Sequence, residues 1–316
     1  MHQQVVLTRQ RTDTLGSDET PFRVRLRRLR TSTVAGIREL GRSRTATIGA
    51  VMIGFLLLVC VFTPLLITHD PIKPNYREKL APVSAQHYFG TDKFGRDIYS
   101  RVLVGGQRTI TISIAAVGFG LALGVPFGVI SGFYGRRVDA ITMRVVDGLL
   151  AFPGLLLYLL IVTLAREWKL EGGWNDLILV FALGFAFAPQ VARLARSTAL
   201  VEARKEYVDA ARVMGERRLR IAMTQIMPNC LSPLIVASTV RLGFVILIIA
   251  ALSFLGLGTS PPTPDWGADL NTARDHMESN PMIAVFPGLA ICFSVLAFNL
   301  FGDGLRDVLD PRLAER

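Results

Sequence analysis

Three cysteines, Cys60, Cys230 and Cys292, are all that the 316 residues contain, and each lies in or beside an apolar run. That excludes a disulfide-stapled secreted scaffold, a cysteine-rich zinc module and thiol redox chemistry. No glycine-lysine dipeptide occurs anywhere, so the phosphate-cradling loop GxxxxGK[ST] is missing and the chain is not a P-loop ATPase. Any nucleotide energy has to come from a partner. Histidine is scarce too: His2, His69, His87 and His276 form no ligand cluster in the sequence and none lies in an apolar run, which argues against a metal site. No Asp or Glu sits alone midway along such a run, as proton-coupled carriers often show, which weakens a secondary-transporter reading; a secondary carrier or channel working alone is the competing class.

What the chain has in abundance is apolar length. Hydrophobic residues make up 51% and charged residues 19%, with a mean hydropathy of +0.41, more than one soluble core could bury. About 20 apolar residues are needed to carry a helix across the hydrocarbon of a bilayer. Six stretches meet or approach that length, near 46–68, 108–134, 141–165, 174–196, 232–257 and 281–302. The expected fold is therefore all-α and polytopic, with a basic tail at 1–45, a six-span domain at 46–302 and a second tail at 303–316.

Orientation follows from the basic residues, which cytoplasmic loops hold in excess. Residues 1–45 carry ten arginines, and the loop near 197–230 adds Arg204, Lys205, Arg212, Arg217, Arg218 and Arg220. Both termini and this loop are expected on the cytoplasmic side of the membrane. The outer stretch 69–107 holds Lys73, Arg77, Lys79, Lys93, Arg96 and Arg101 and strains the assignment, which rests on the dominance of the first anchored helix. The alternation FRVRLRRLR at 22–30 suits either an interfacial element on anionic membrane lipid or a solvated tail. A hydrophobic polytopic chain explains the positive charge without nucleic acid.

Within the runs, Ala116, Gly120, Gly124, Gly128 and Gly132 recur every fourth residue, a stripe suited to close helix packing or to a sliding surface. Pro126, Pro153 and Pro189 suggest kinks. Arg144 and Asp147 are spaced to pair with each other. Arg241 lies about ten residues, or about 15 Å, into the fifth run. There it either meets a carboxylate or carbonyl of a neighbouring helix or faces a watery path and a substrate carboxylate.

Between the fourth and fifth runs, helix formers extend to Met214, Gly215 offers a left-handed stop and a second helical stretch leads to Pro228. This predicts a helix-turn-helix at 202–230 whose small residues Ala210 and Ala211, with Val213 and Met214, would dock on another protein. Asp209-Ala210-Ala211, three residues, Gly215 and a later Pro228 resemble the EAA loop of ABC importer permeases. Three departures stand out: Asp209 replaces Glu, Gln225 takes the isoleucine position and Met227 replaces Leu.

Four further segments resemble one branch of that family. FGTDKFGRDIYSRVLVGGQRT at 89–109, EYVDAARVMG at 206–215, SFLGLGTSPPTPDWG at 253–267 and FPGLAICFSVLAFNLFGDGLRDVLDPR at 286–312 are similar to the C-type permease subunits of dipeptide, oligopeptide and nickel importers. The resemblance implies the type I permease fold and half of a heterodimeric pore with a homologous second permease. It also implies two ABC ATPase subunits that bind ATP and Mg, and an extracytoplasmic solute-binding protein that delivers short peptides. Nickel or other small solutes remain open. It places ATPase coupling at Glu206, Asp209, Ala210, Ala211, Arg212, Met214, Gly215, Arg217 and Arg218. Asp265, Trp266 and Asp269 fall where a binding protein would touch, although a Trp is also an ordinary interfacial anchor. Asp92, Arg96, Asp97 and Arg101 are expected to form local ion pairs and turns, and Asp303, Arg306, Asp307 and Asp310 to pair among themselves or with the basic loops.

Overall fold

The computed structural model describes residues 43–167, 174–259, 261–278 and 280–309; the basic alternation at 22–30 and Asp310 lie outside them. Among the described residues the chain is helical, with one isolated bridge between Thr91 and Asp97. The helices are α1 (Arg44–Leu66), α2 (Ile98–Tyr134), α3 (Arg136–Leu150), α4 (Gly154–Glu167), α5 (Trp174–Glu202), α6 (Glu206–Val213), α7 (Arg218–Ile221), α8 (Met227–Phe254), α9 (Trp266–Ala273) and α10 (Met282–Leu309). A π-helical turn over Ala222–Ile226 joins α7 to α8, so that Arg218–Phe254 runs as one 37-residue rod.

Five helices are long and apolar enough to cross a membrane. The third expected span, 141–165, is not one of them: it is divided between α3 and α4, which meet at 87°. The reason lies in the residues. Helix α3 carries Arg137, Asp139, Arg144 and Asp147 on an amphipathic surface, and Pro153 follows its end. Helix α4 has 14 residues, about 21 Å at 1.5 Å per residue and short of a bilayer's hydrocarbon thickness. The pair makes one bent span at most. Pro126 and Pro189, by contrast, sit inside uninterrupted helices. Helix α10 continues beyond the expected boundary at 302 to Leu309.

The expected Arg144–Asp147 pair does not form. Arg193 on α5 donates to Asp147 at 2.5 Å, and Arg196, one turn on, holds Asp139 at 2.5 and 2.6 Å. These pairs fasten α3 to one end of α5. At the opposite end Arg108 of α2 pairs with Asp176 of α5.

The core is built around α2 and α5. A Cβ placed on Gly120, Gly124 or Gly132 would lie 2.5–2.7 Å from the nearest atom of α5, and one on Gly128 would overlap the Ala192 carbonyl. The small-residue stripe therefore brings two backbones together, as expected of a packing surface. Helices α4 and α8 add Leu157, Tyr158, Val162, Leu234, Ile249 and Leu252 to the same core. Helix α1 packs along α10 but leaves Val51, Phe55, Leu58, Val61 and Leu65 exposed, between 58 and 80%. Such a continuous apolar face requires an apolar medium or partner.

Candidate functional site

The elbow formed by α6 and α7 collects every residue assigned to ATPase coupling at one end of the bundle. Helix α6 begins at Glu206 with acidic residues in its first turn, where the macrodipole favours them. It ends as expected: Gly215 has φ +78°, its amide donates to the Arg212 carbonyl at 3.0 Å, and the Glu216 amide donates to the Ala211 carbonyl at 3.1 Å. A residue with a Cβ avoids that conformation, and glycine adopts it freely. The chain then turns, and α7 starts at Arg218.

One face of the elbow is fused to the bundle. Val208 and Ala211 are buried in the main core beside Ala195, Ala199, Ile221 and Ile226. Tyr207 donates to Glu202 at 2.9 Å and accepts from Asn229 at 3.2 Å, and Gln225 donates to Glu216 at 2.8 Å. Arg212 lies over the Phe133 ring at the end of α2, 5.4 Å from its centroid. Ala211 was expected on the docking surface with Ala210. It faces inward instead, because helical spacing puts it one turn from buried Val208, while Ala210 remains exposed.

The other face is open. Val213 is 89% exposed, Met214 73% and Leu219 53%, beside exposed Glu206, Asp209, Arg212, Arg217 and Arg218. Asp209 and Arg212 pair on that face at 2.9 Å. Met214, Gly215, Arg217, Leu219 and Met223 line an open cleft of about 690 Å³. Large apolar side chains held out on a rigid support, ringed by charge, form a surface suited to covering by a partner. Val213 was read with the docking residues and is exposed, whereas Leu219 went unassigned in the sequence because nothing in the local pattern tells which turn of a short helix faces outward.

The opposite end contrasts with this. Asp265, Trp266 and Asp269 were expected to meet a docking protein, but all three are buried, at 3, 3 and 8% exposure. Asp265 caps α9, accepting from the amides of Gly267 at 2.9 Å and Ala268 at 3.1 Å and from the Ser253 hydroxyl at 3.0 Å. The Trp266 indole donates to the Val102 carbonyl at 2.8 Å and rests on Gly105 and Gly106, where no Cβ intervenes. Asp269 receives Arg101 through Nε at 3.0 Å and Nη2 at 2.5 Å. These side chains hold the end together and present little to a docking protein.

Arg101 is thus not a local contact, since it also donates to the carbonyls of Pro71 at 2.8 Å and Pro262 at 3.2 Å. Asp92 and Arg96 do pair locally at 2.6 Å, both buried. Asp97 caps α2, accepting from the Ser100 amide at 2.8 Å and hydroxyl at 2.7 Å. The histidines also depart from expectation: His69 and His87 come together at Asp97, with ring centroids 4.6 Å apart. Burial alone would push the His87 imidazole down, but the hydrogen bonds it donates to Asp97 and Glu78 outweigh it and hold the ring above its ordinary value.

Arg241, on α8, belongs to neither end. It is half-buried between the rings of Phe187 and Phe244, 5.9 and 5.8 Å from their centroids. The alternative weighed for it was a carboxylate or carbonyl of a neighbouring helix; among the described residues its contacts are these two rings.

A helical, multi-pass membrane subunit with a protruding elbow is the class these features define. Residues 124–315 match the family model described as the binding-protein-dependent transport system inner membrane component, and residues 35–82 match the N-terminal transmembrane domain of oligopeptide transport permease C. The chain belongs to this family of ABC importer permeases. A putative peptide transport system permease of Brucella suis is 42% identical over 276 residues, covering 87% of this chain and 90% of that protein. The dipeptide transport permease DppC of Alkalihalophilus pseudofirmus is 38% identical over 276 residues, covering 87 and 88%. The glutathione transport permease GsiD of Escherichia coli is 41% identical over 277 residues, covering 87 and 89%. Among solved structures, the inward-facing MetNI methionine ABC transporter superposes with a TM-score of 0.52 at 19% identity, over 67% of this chain and 97% of its own; that likeness concerns the fold.

Proposed function

We propose that this permease forms half of a heterodimeric pore for short peptides, with the elbow α6–α7 seated on a cytoplasmic ATPase subunit. A homologous second permease completes the pore, two ATPases bind ATP and Mg, and a solute-binding protein delivers the peptide at the end formed by residues 69–107 and α9. Both chain termini then lie in the cytoplasm, in agreement with the basic residues of the elbow and of the first 45 positions. Peptide is favoured as cargo by the relatives named for peptide, dipeptide and glutathione transport.

One observation carries the reading: the elbow is embedded on one face through Val208 and Ala211 and leaves Val213, Met214 and Leu219 open on the other. A lever needs both properties. The fixed face passes movement into α2, α5 and α8, and the open face provides the apolar contact that a motor can grip through its stroke. ATP-driven closure of the ATPase pair would turn the elbow and, with it, the rod Arg218–Phe254. The charge of Arg241 on that rod would then be carried with it, positioned to attract a peptide carboxylate.

Uptake in proteoliposomes containing the assembled transporter and its binding protein tests the assignment. Met214→Glu should abolish peptide uptake and ATPase association together. Retention of both would remove the elbow from the coupling role. A ligand screen on the cognate binding protein tests the cargo, and selective capture of a metal ion or a non-peptide solute would overturn the peptide assignment.

A further inference from the structure

The segment between α1 and α2 directs two imidazoles at one carboxylate oxygen. His87 Nδ1 lies 2.9 Å from Asp97 Oδ1, and His69 Nδ1 lies 3.9 Å from the same atom. The donors around a tetrahedral zinc ion, each about 2.0–2.2 Å from the metal, stand roughly 3.3–3.5 Å apart. The two separations from Asp97 bracket that value, and all three donor atoms lie within 4.8 Å of one another, so a movement of the exposed His69 ring would close the set.

The surroundings suit a metal. Glu78 Oε2 lies 3.3 Å from His87 Nε2. A hydrogen bond there keeps a proton on Nε2, the outer-shell arrangement usual for a ligating imidazole, so the proton that Nδ1 shares with Asp97 is the one a metal would replace. Asp97 Oδ2 is held by the amide and hydroxyl of Ser100 at 2.8 and 2.7 Å, which fixes Oδ1 toward the histidines. His87 and Asp97 are buried, and the His69 side chain is 43% exposed. The group opens on a cavity of about 370 Å³ that Asp70, Lys73 and Asn75 also line, with room for a water ligand. Lys73 adds one positive charge there, against the three carboxylates of Asp70, Glu78 and Asp97. Thr68 Oγ1, 3.0 Å from His69 Nδ1, also lies 3.5 Å from Asp97 Oδ2 and Ser100 Oγ, and its hydroxyl would turn to these as the metal takes Nδ1.

We propose that His69, His87 and Asp97 bind one divalent cation of the zinc type, with water as the fourth ligand and Glu78 orienting His87. Two imidazoles and a carboxylate favour zinc over calcium or magnesium, which take oxygen ligands. The proton between His87 and Asp97 leaves to solvent as the metal enters. The ion ties the residue that follows α1 to the cap of α2 and closes the 69–97 segment into a rigid loop.

The test is equilibrium dialysis of the assembled transporter in nanodiscs, freed of metal by chelation, against zinc ions alone, with bound metal counted by mass spectrometry. The wild type should hold one zinc more per copy of this chain than the His69→Ala variant, whose affinity falls at least about 10-fold. Because His69 is exposed, the metal-free variant should unfold at the wild-type temperature. His69→Cys, which restores a zinc ligand, should recover binding. Equal zinc content in wild type and His69→Ala would overturn the proposal.

Discussion

The two ends of this bundle solve opposite problems with the same kinds of residue. At the α9 end, Asp92, Arg96, Asp97, Arg101, Asp265 and Asp269 are buried, and each has its counter-charge, amide or hydroxyl within the chain. At the elbow, Glu206, Asp209, Arg212, Arg217 and Arg218 stay in solvent, while apolar Val213 and Met214 project beyond them. The first end is satisfied by itself; the second is left unsatisfied on its outward face. Desolvated charge is costly unless fully paired, so it defines one arrangement rigidly. Exposed apolar area is costly until something covers it, so it marks where the assembly continues.

Substitutions separate the ends most sharply at Arg101. Arg101→Met leaves Asp269 buried without its cation, and breaking a buried pair in this way costs about 3–5 kcal/mol. Thermal unfolding of the purified subunit should show the loss, and the double variant Arg101→Met, Asp269→Leu should recover part of it. An unchanged midpoint would mean that the α9 end is not self-sufficient. A smaller effect is expected at the stripe that joins the ends. Gly124→Leu sets a side chain against the Ala188 carbonyl and Val191, where even a Cβ would lie 2.5 Å away. Overpacking of this kind costs about 1–3 kcal/mol, and the same unfolding measurement checks it.

How far the sequence revealed these features depended on their range. Uncharged runs located α1, α2, α8 and α10, and four-residue spacing pointed to the contact of Gly120, Gly124, Gly128 and Gly132 with α5, because both signals are local. Gly215 ended α6 where a left-handed residue was needed. The bend between α3 and α4 was obscured because apolar composition across 141–165 does not distinguish one helix from two. Long-range pairing was invisible as well: Arg101 with Asp269, Arg193 with Asp147, and His69 with His87 are contacts that no spacing encodes. Trp266 read as a surface residue for the same reason, since its resting place on Gly105 and Gly106 comes from a distant helix.

At the elbow the expected losses of stability are smaller. Gly215→Ala forces a Cβ into φ +78°, at about 1–2 kcal/mol, although open space surrounds the position. The cost is conformational, so Gly215→Asn, which tolerates the left-handed region better, should lose less. Equal losses in the two variants, compared by thermal unfolding, would point to a packing cause.

The smallest change in stability belongs to Val213→Asp, and it sharpens the comparison most. Val213 is 89% exposed, so an aspartate there loses almost no buried contact, and a surface substitution of this type stays within about 0.5 kcal/mol. The isolated subunit should unfold as the wild type does. Its association with the ATPase should nonetheless weaken, because the carboxylate would have to be desolvated where an apolar side chain was to be covered. Co-purification of the ATPase with the subunit measures that loss directly. A variant that folds normally but fails to assemble identifies the elbow's outward face as incomplete by design of the fold, whereas normal assembly would show that Val213 lies outside the gripped area and leave Met214 and Leu219 to carry it.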